Sequence, residues 1–264
     1  MARIAALCAL AIWGYMTAWF VAALARKDNS LADTAWGPGF ALVALLGLGL
    51  SGDFAPRRLL ATALVLLWAA RLAVHVFARN RGRGEDFRYA AWREKWGKWF
   101  VARSYLQVFL LQGLFLLVIS GPVIAIDATP QKPLGWPDAL AGLFWLGGFA
   151  LEASADAQLA RFKRELGNKG RILTAGLWRW SRHPNYFGEA VMWWALFFLA
   201  LAGGAAWAFL ASPLLITFLL RFVSGVPMLE RKSRGRPDFE DYARRTNAFV
   251  PWVPRRPAPR PPQV

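Results

Sequence analysis

Seven long apolar runs, separated by loops that hold most of the charge, limit what this chain can fold into. They cover about 3–25, 32–51, 57–78, 104–126, 136–158, 186–203 and 205–223. Each is near the roughly 20 residues that a helix needs to cross a bilayer core. A soluble domain must cover its core with polar surface, which a chain of 264 residues that is 56% hydrophobic and holds 15 Trp is poorly placed to supply. The expected fold is an all-α integral membrane protein, a bundle of seven transmembrane helices.

An odd number of crossings puts the two termini on opposite sides, and the basic residues test that arrangement. One side would hold loops 1–2, 3–4 and 5–6 and the C-terminal tail, which carry 27 of the 32 Lys and Arg. The positive-inside bias then places these in the cytoplasm and the N-terminus in the periplasm. The first run is longer than a signal-peptide core of roughly 7–15 residues and contains Trp13, Tyr15, Trp19 and Phe20, so it reads as a retained span. A net charge of +16 would suggest nucleic acid in a soluble protein. Interleaved with apolar runs, it points instead to lipid headgroups or an anionic cofactor. Residues 1–254 read as one domain and 255–264 as a disordered Pro/Arg-rich tail. The lone Cys8 excludes an internal disulfide, and His75 with His183 is too little for a His-based centre, so no metal is expected.

Ionisable residues inside apolar runs are costly and usually face a cavity or a partner. Asp33 opens the second run. Arg71 and His75 lie one turn apart in the third, Glu152 and Asp156 in the fifth with Lys163 continuing their face, and Asn185 and Glu189 in the sixth. Together they suggest one polar cavity; taken singly, each pair is equally well an interhelical tie. Residues 79–89, Arg-Asn-Arg-Gly-Arg-Gly-Glu-Asp-Phe-Arg-Tyr, and the stretch holding Lys163, Arg171, Arg182 and Asn185 before a helix start suit a phosphate-bearing ligand. Gly47-Leu-Gly49-Leu-Ser-Gly52 matches G-x-G-x-x-G literally, but ends a predicted membrane helix where that fingerprint needs a βαβ unit.

At Ser181-Arg-His-Pro-Asn-Tyr-Phe-Gly-Glu189 the sequence resembles the steroid 5α-reductase family, particularly its bacterial DUF1295 branch. Asn80-Arg-Gly-Arg83 with Gly-Glu-Asp-Phe-Arg-Tyr89, Asp156 and Lys163, Arg171 and Gly176, Phe239-Glu-Asp-Tyr242 and Asn247-Ala-Phe249-Val-Pro251 support it in order and spacing, as does Asp33-x-x-Trp36-Gly37. The resemblance implies a membrane reductase in a bacterial inner membrane, its active site facing the cytoplasm. Such an enzyme uses NADPH to saturate the C=C bond of an α,β-unsaturated ketone lipid, typically a 3-oxo-Δ4-steroid. Carried over by position, Asn80, Arg83, Asp86, Asp156, Lys163, Arg171, His183, Asn185, Tyr186 and Glu189 become cofactor contacts, and Trp36 and Glu152 substrate contacts. Lys163 stands where many relatives have Arg, and Trp68-Ala-Ala-Arg71 lacks the catalytic Tyr of the animal enzymes.

On this reading hydride reaches the enone β-carbon while charge develops on the carbonyl oxygen, which must meet donors in a dry pocket. Asp33, kept protonated by desolvation, is the expected catalytic donor and Tyr89 the second. The apolar substrate would enter from the bilayer. Two rivals stand beside it. One is an S-adenosylmethionine-dependent methyltransferase of isoprenylcysteine or phospholipid type, which shares Arg-His-Pro-x-Tyr-x-Gly. The other is a non-enzymatic lipid or sterol transporter or sensor, although no paired repeat with broken helices is visible.

Overall fold

A computed structural model describes residues 1–80, 82 and 84–255, and these are all-α with no strand. Arg83 and the tail beyond Arg255 lie outside the described residues. The chain forms two compact units: Met1–Ala141 with Leu196–Ser212, and Gly142–Ala195 with the chain from Pro213 onward.

In the first unit, α1 (Ala2–Arg26) is largely apolar between Arg3 and Arg26 and stops at Lys27, whose φ of 53° is left-handed. The amide of Asp28 bonds Ala23 O at 3.0 Å and that of Lys27 bonds Leu24 O at 3.2 Å. This pair of hydrogen bonds is the closure that helices normally make with glycine at that position. The Asp28 carboxylate then accepts from the Ser30 amide at 2.8 Å, turning the chain into α2 (Leu31–Leu50). Pro38 lies inside α2 and has no amide to donate. The Tyr15 hydroxyl donates to Ala35 O in this turn at 2.9 Å. α3 (Pro56–Asn80) packs on α2 at Gly37, where a Cβ would lie 3.2 Å from Ala69 O.

After α4 (Phe87–Trp96), the chain turns at Gly97 into α5 (Phe100–Arg103) and a π-helical stretch, Ser104–Leu110. α6 (Leu111–Ile119) ends at Ser120, and α7 (Gly121–Ala128) follows with Pro122 in its first turn. The Ser212 hydroxyl holds this joint by donating to Ile119 O at 2.6 Å. α7 brings Asp127 over Gly47, where a Cβ would stand 2.3 Å from its Oδ2. That close approach is what Gly47 in the G-x-G-x-x-G look-alike serves.

The second unit is built on α8 (Trp136–Arg164), whose first residues belong to the first unit, and on the start of α9 (Pro184–Ala202). They cross at Gly148 and Gly188: a Cβ on Gly188 would lie 2.6 Å from Gly148 O and 2.8 Å from Glu152 N. α10 (Ala211–Phe218) runs into a π turn, Leu219–Val223. The chain then breaks at Gly225, where a Cβ would lie 2.2 Å from Leu220 O, and starts α11 (Val226–Glu230). α12 (Pro237–Arg245) has proline in its first turn, where a missing amide costs nothing.

The seven-span expectation is corrected. Among the described residues, six helical stretches are long and apolar enough to cross a membrane: Ala2–Arg26, Leu31–Leu50, Pro56–Asn80, Phe87–Ile119, Pro184–Ala202 and Trp207–Glu230. The predicted span 136–158 is indeed helical, but α8 carries Asp138, Glu152 and Asp156 among glycines and tryptophans, and this mixture leaves it short of a span's apolarity. An even number of crossings does not put the termini on opposite sides, so a periplasmic N-terminus opposite a cytoplasmic C-terminus does not follow. The chain is an all-α, multi-pass membrane protein.

Candidate functional site

The first unit gathers polar groups where the α1–α2 turn meets the start of α4. Asp86 caps α4, accepting from the Arg88 amide at 3.0 Å, and its own amide donates to Ser30 Oγ at 2.7 Å. The neighbouring Glu85 accepts from the Asn29 amide at 2.9 Å and from both Arg93 nitrogens at 3.0 and 2.8 Å. Asn29 Nδ2 in turn donates to Ser104 Oγ at 2.6 Å. So fastened, the start of α4 delivers two side chains to Asp33. The Tyr89 hydroxyl donates to Asp33 Oδ1 at 2.7 Å, and Arg88 Nη2 donates to Oδ2 at 2.5 Å. Arg88 also donates from Nε to Asp86 Oδ1 at 2.9 Å. Tyr89 is only 3% exposed. One turn beyond Asp33, the half-buried Trp36 meets Phe40 edge to face at 5.1 Å, and Phe40 meets Trp68 at 5.4 Å. An aromatic row thus leads from the polar cluster along α2 and α3.

The second unit holds another cluster. The close crossing at Gly148 and Gly188 sets the polar rows of α8 and α9 face to face, and Asn185 Nδ2 donates to Asp156 Oδ1 at 2.9 Å. Glu152, Asp156 and Glu189 are buried. Asn185 Oδ1 is buried and has no hydrogen-bond partner among the described residues. A step away, Arg182 donates to Glu230 from Nε at 2.7 Å and from Nη2 at 3.1 Å, and from Nη1 to Thr246 O at 2.6 Å. His183 Nε2 lies 3.1 Å from the same Glu230 and its ring stacks on Tyr186 at 5.6 Å.

The C-terminal segment straps this Arg-His-Pro turn in place. The Ser181 hydroxyl donates to Phe249 O at 2.7 Å, the Arg182 amide to Asn247 O at 2.8 Å and the Trp252 amide to Trp180 O at 2.9 Å. The Tyr242 hydroxyl donates to Trp178 O. Burial pushes that hydroxyl well above its ordinary pKa, so it remains a donor.

The expected site residues therefore fall into groups. Asp33, Tyr89 and Asp86 meet in the first unit, with Trp36 one turn on. Asp156, Asn185, Glu152 and Glu189 lie along the facing rows of α8 and α9, while His183 and Tyr186 stack at the start of α9. Lys163 and Arg171 are exposed, and Asn80 Oδ1 accepts from its neighbour Arg79 at 3.2 Å. Two residues that matter went unread. Arg88 stands in the quoted Glu-Asp-Phe-Arg-Tyr segment, beside Tyr89. Glu230 was signalled as a single acid among Arg221, Arg231, Lys232, Arg234 and Arg236. No group of three or more His, Cys, Asp or Glu among the described residues could hold a metal ion.

Chemically, the first cluster offers a hydroxyl donor against a carboxylate backed by a fixed cation. The second offers carboxylates and an amide carbonyl, acceptors for hydroxyl and amino donors.

Comparison with known proteins matches residues 18–246 to the family described as "Protein of unknown function (DUF1295)", and the chain belongs to that family. An uncharacterized protein of the fission yeast Schizosaccharomyces pombe is 32% identical over 208 residues, 69% of this chain; the chain spans 58% of that relative's length. No solved structure matches.

Proposed function

Taking DUF1295 membership as the premise, we propose that the protein is an NADPH-dependent reductase of steroid 5α-reductase type. It saturates the C=C bond of an α,β-unsaturated ketone lipid, a 3-oxo-Δ4-steroid being the leading candidate. The observation that carries the reading is the Arg88–Asp33–Tyr89 cluster at the head of an aromatic row. A flat, apolar ketone arriving from the bilayer can lie along Trp36 with its oxygen at Tyr89. Both Asp33 oxygens act as acceptors, so the donor role expected of Asp33 passes to Tyr89, and Asp33 becomes the group that orients it.

The residues of the second unit fit the cofactor. Asn185 keeps a buried carbonyl with no partner among the described residues, and the acids of α8 and α9 can accept from ribose hydroxyls and an amide. NADPH, when bound, would supply the hydride of the reduction. Tyr89 then donates to the oxygen on which charge develops, and the α-carbon takes a proton from solvent. Arg182 and His183 are held by Glu230 and shape the turn that presents Asn185. Exposed Lys163 and Arg171 carry the positive charge that suits the cofactor's phosphates. A reductase that draws on cellular NADPH would face its site to the cytoplasm, in what we read as a bacterial inner membrane.

One observation favours a second reading. The tie from Arg182 and His183 to Glu230 joins the Arg-His-Pro turn to an acid of the C-terminal stretch, the two elements on which the likeness to S-adenosylmethionine-dependent membrane methyltransferases rests. Thermal melting of purified protein with each cofactor separates the two. NADPH should raise the melting temperature and be oxidised with progesterone or testosterone, less so in Asp33→Asn, Tyr89→Phe and Glu189→Ala. A shift with S-adenosylmethionine alone ends the reductase reading.

A further inference from the structure

We propose that Arg88 is a positioning residue for this reaction, acting through Asp33 to set the direction in which the Tyr89 hydroxyl points; this rests on the reductase reading of the same site. Arg88 is fixed at both ends. Its Nε binds Asp86, which is itself pinned as the α4 cap and by Ser30 Oγ, and its Nη2 binds Asp33 Oδ2. Its guanidinium also lies 5.3 Å over the Tyr89 ring. A planar guanidinium can join two carboxylates and cover a ring at once, which an ammonium cannot.

The consequence is geometric and electrostatic. With Oδ2 filled by Arg88, Asp33 leaves Oδ1 for the Tyr89 hydroxyl, which fixes that hydroxyl's line. For Tyr89 to donate to a substrate oxygen, its hydroxyl must turn from Asp33. While Arg88 stays in place, this turn does not leave a bare carboxylate. Without Arg88, Asp33 loses its counter-charge and holds the hydroxyl to itself. Arg88 touches neither substrate nor cofactor in this scheme, so its removal should lower kcat while leaving NADPH binding alone.

The test is a double-mutant cycle on purified full-length protein in detergent, with progesterone and NADPH. Arg88→Leu should lower kcat on the order of 100-fold, the scale of losing one aligned donor, with the NADPH Kd unchanged. In the Asp33→Asn background, adding Arg88→Leu should change kcat by no more than about twofold, because the partner through which it acts is already gone. Arg88→Lys should recover part of the loss. Should Arg88→Leu fail to fold, Arg88→Gln, which keeps a donor without charge, takes its place in the cycle. Equal losses in both backgrounds would overturn the proposal, as would weakened NADPH binding with kcat intact. A wild type that binds NADPH but reduces no enone would overturn the reductase reading, and this proposal with it. An active wild type with an additive cycle overturns the proposal alone.

Discussion

Replacing Arg57 with Met should be among the most damaging single changes in the first unit, because the side chain is 1% exposed and fully committed. Its Nε and Nη2 grip Asp138 at 2.7 and 2.9 Å. Nη1 reaches Lys132 O at 2.9 Å and Gln131 Oε1 at 3.2 Å, and Nη2 also reaches Pro133 O at 3.3 Å. One guanidinium thereby ties the start of α3 to the loop before α8 and to the first turn of α8. Methionine fills the stem's volume but leaves Asp138 buried with the Gly135 amide at 2.8 Å as its remaining partner here. Breaking one side of a buried pair costs about 3–5 kcal/mol. For a chain of this size that is a fall of roughly 6–20 °C in melting temperature. Asp138→Asn should cost less, since Arg57 keeps its three acceptors in residues 131–133.

The same pair makes a pH prediction. Burial alone would raise the Asp138 pKa, but the Arg57 hydrogen bonds and the Gly135 amide outweigh it and leave the carboxyl below its ordinary value. Its folded pKa thus lies under that of the unfolded chain, at about 4. The stabilisation is complete above that pH and is lost as pH falls through the folded value. Melting curves from pH 7 down to about pH 3 should show a steeper acid fall in wild type than in Asp138→Asn. An Arg57→Met protein that melts within about 2 °C of wild type, well under the expected loss, would refute the reasoning.

Two further outcomes follow from close approaches and backbone strain. Gly188→Ala puts a methyl 2.6 Å from Gly148 O, so α8 and α9 must separate; the melting temperature should fall by several degrees, on the scale of roughly 1–3 kcal/mol for overpacking, and NADPH binding should weaken as Asn185 leaves Asp156. Lys27→Gly removes a left-handed lysine at φ 53°, and after glycine's own entropy cost should stabilise by about 0.5–1 kcal/mol, read as a small rise in melting temperature.

The spans show how far a local pattern reaches. Apolar length found α1, α2, α3 and α9 to within a few residues, because crossing length is a property of contiguous sequence. It miscounted at α8, where a predominantly apolar helix carries its acids at both ends. That defect appears only when the whole helix is weighed. Arg57 and Arg58 begin the third apolar run, where sequence alone shows only two charges at a helix start. Both are buried: Arg57 in its ion pair, and Arg58 over the end of α7, donating from Nη2 to Thr129 O at 2.9 Å.

The site divides in the same way. Asp33 and Tyr89 each stood out, one as an acid opening an apolar run and the other in the quoted Glu-Asp-Phe-Arg-Tyr segment. Their pairing spans 56 residues of sequence and depends on Asp86 capping α4 against Ser30, which no periodicity reports. Asp156 and Asn185, 29 residues apart, depend on two glycines letting helices touch. Composition shows which side chains are costly to bury. Which of them share that cost is decided by caps and close crossings far apart in the chain. Arg88 was not singled out for that reason: as one arginine in a basic loop it reads as one more donor for a phosphate, and its meaning lies in the two carboxylates it joins.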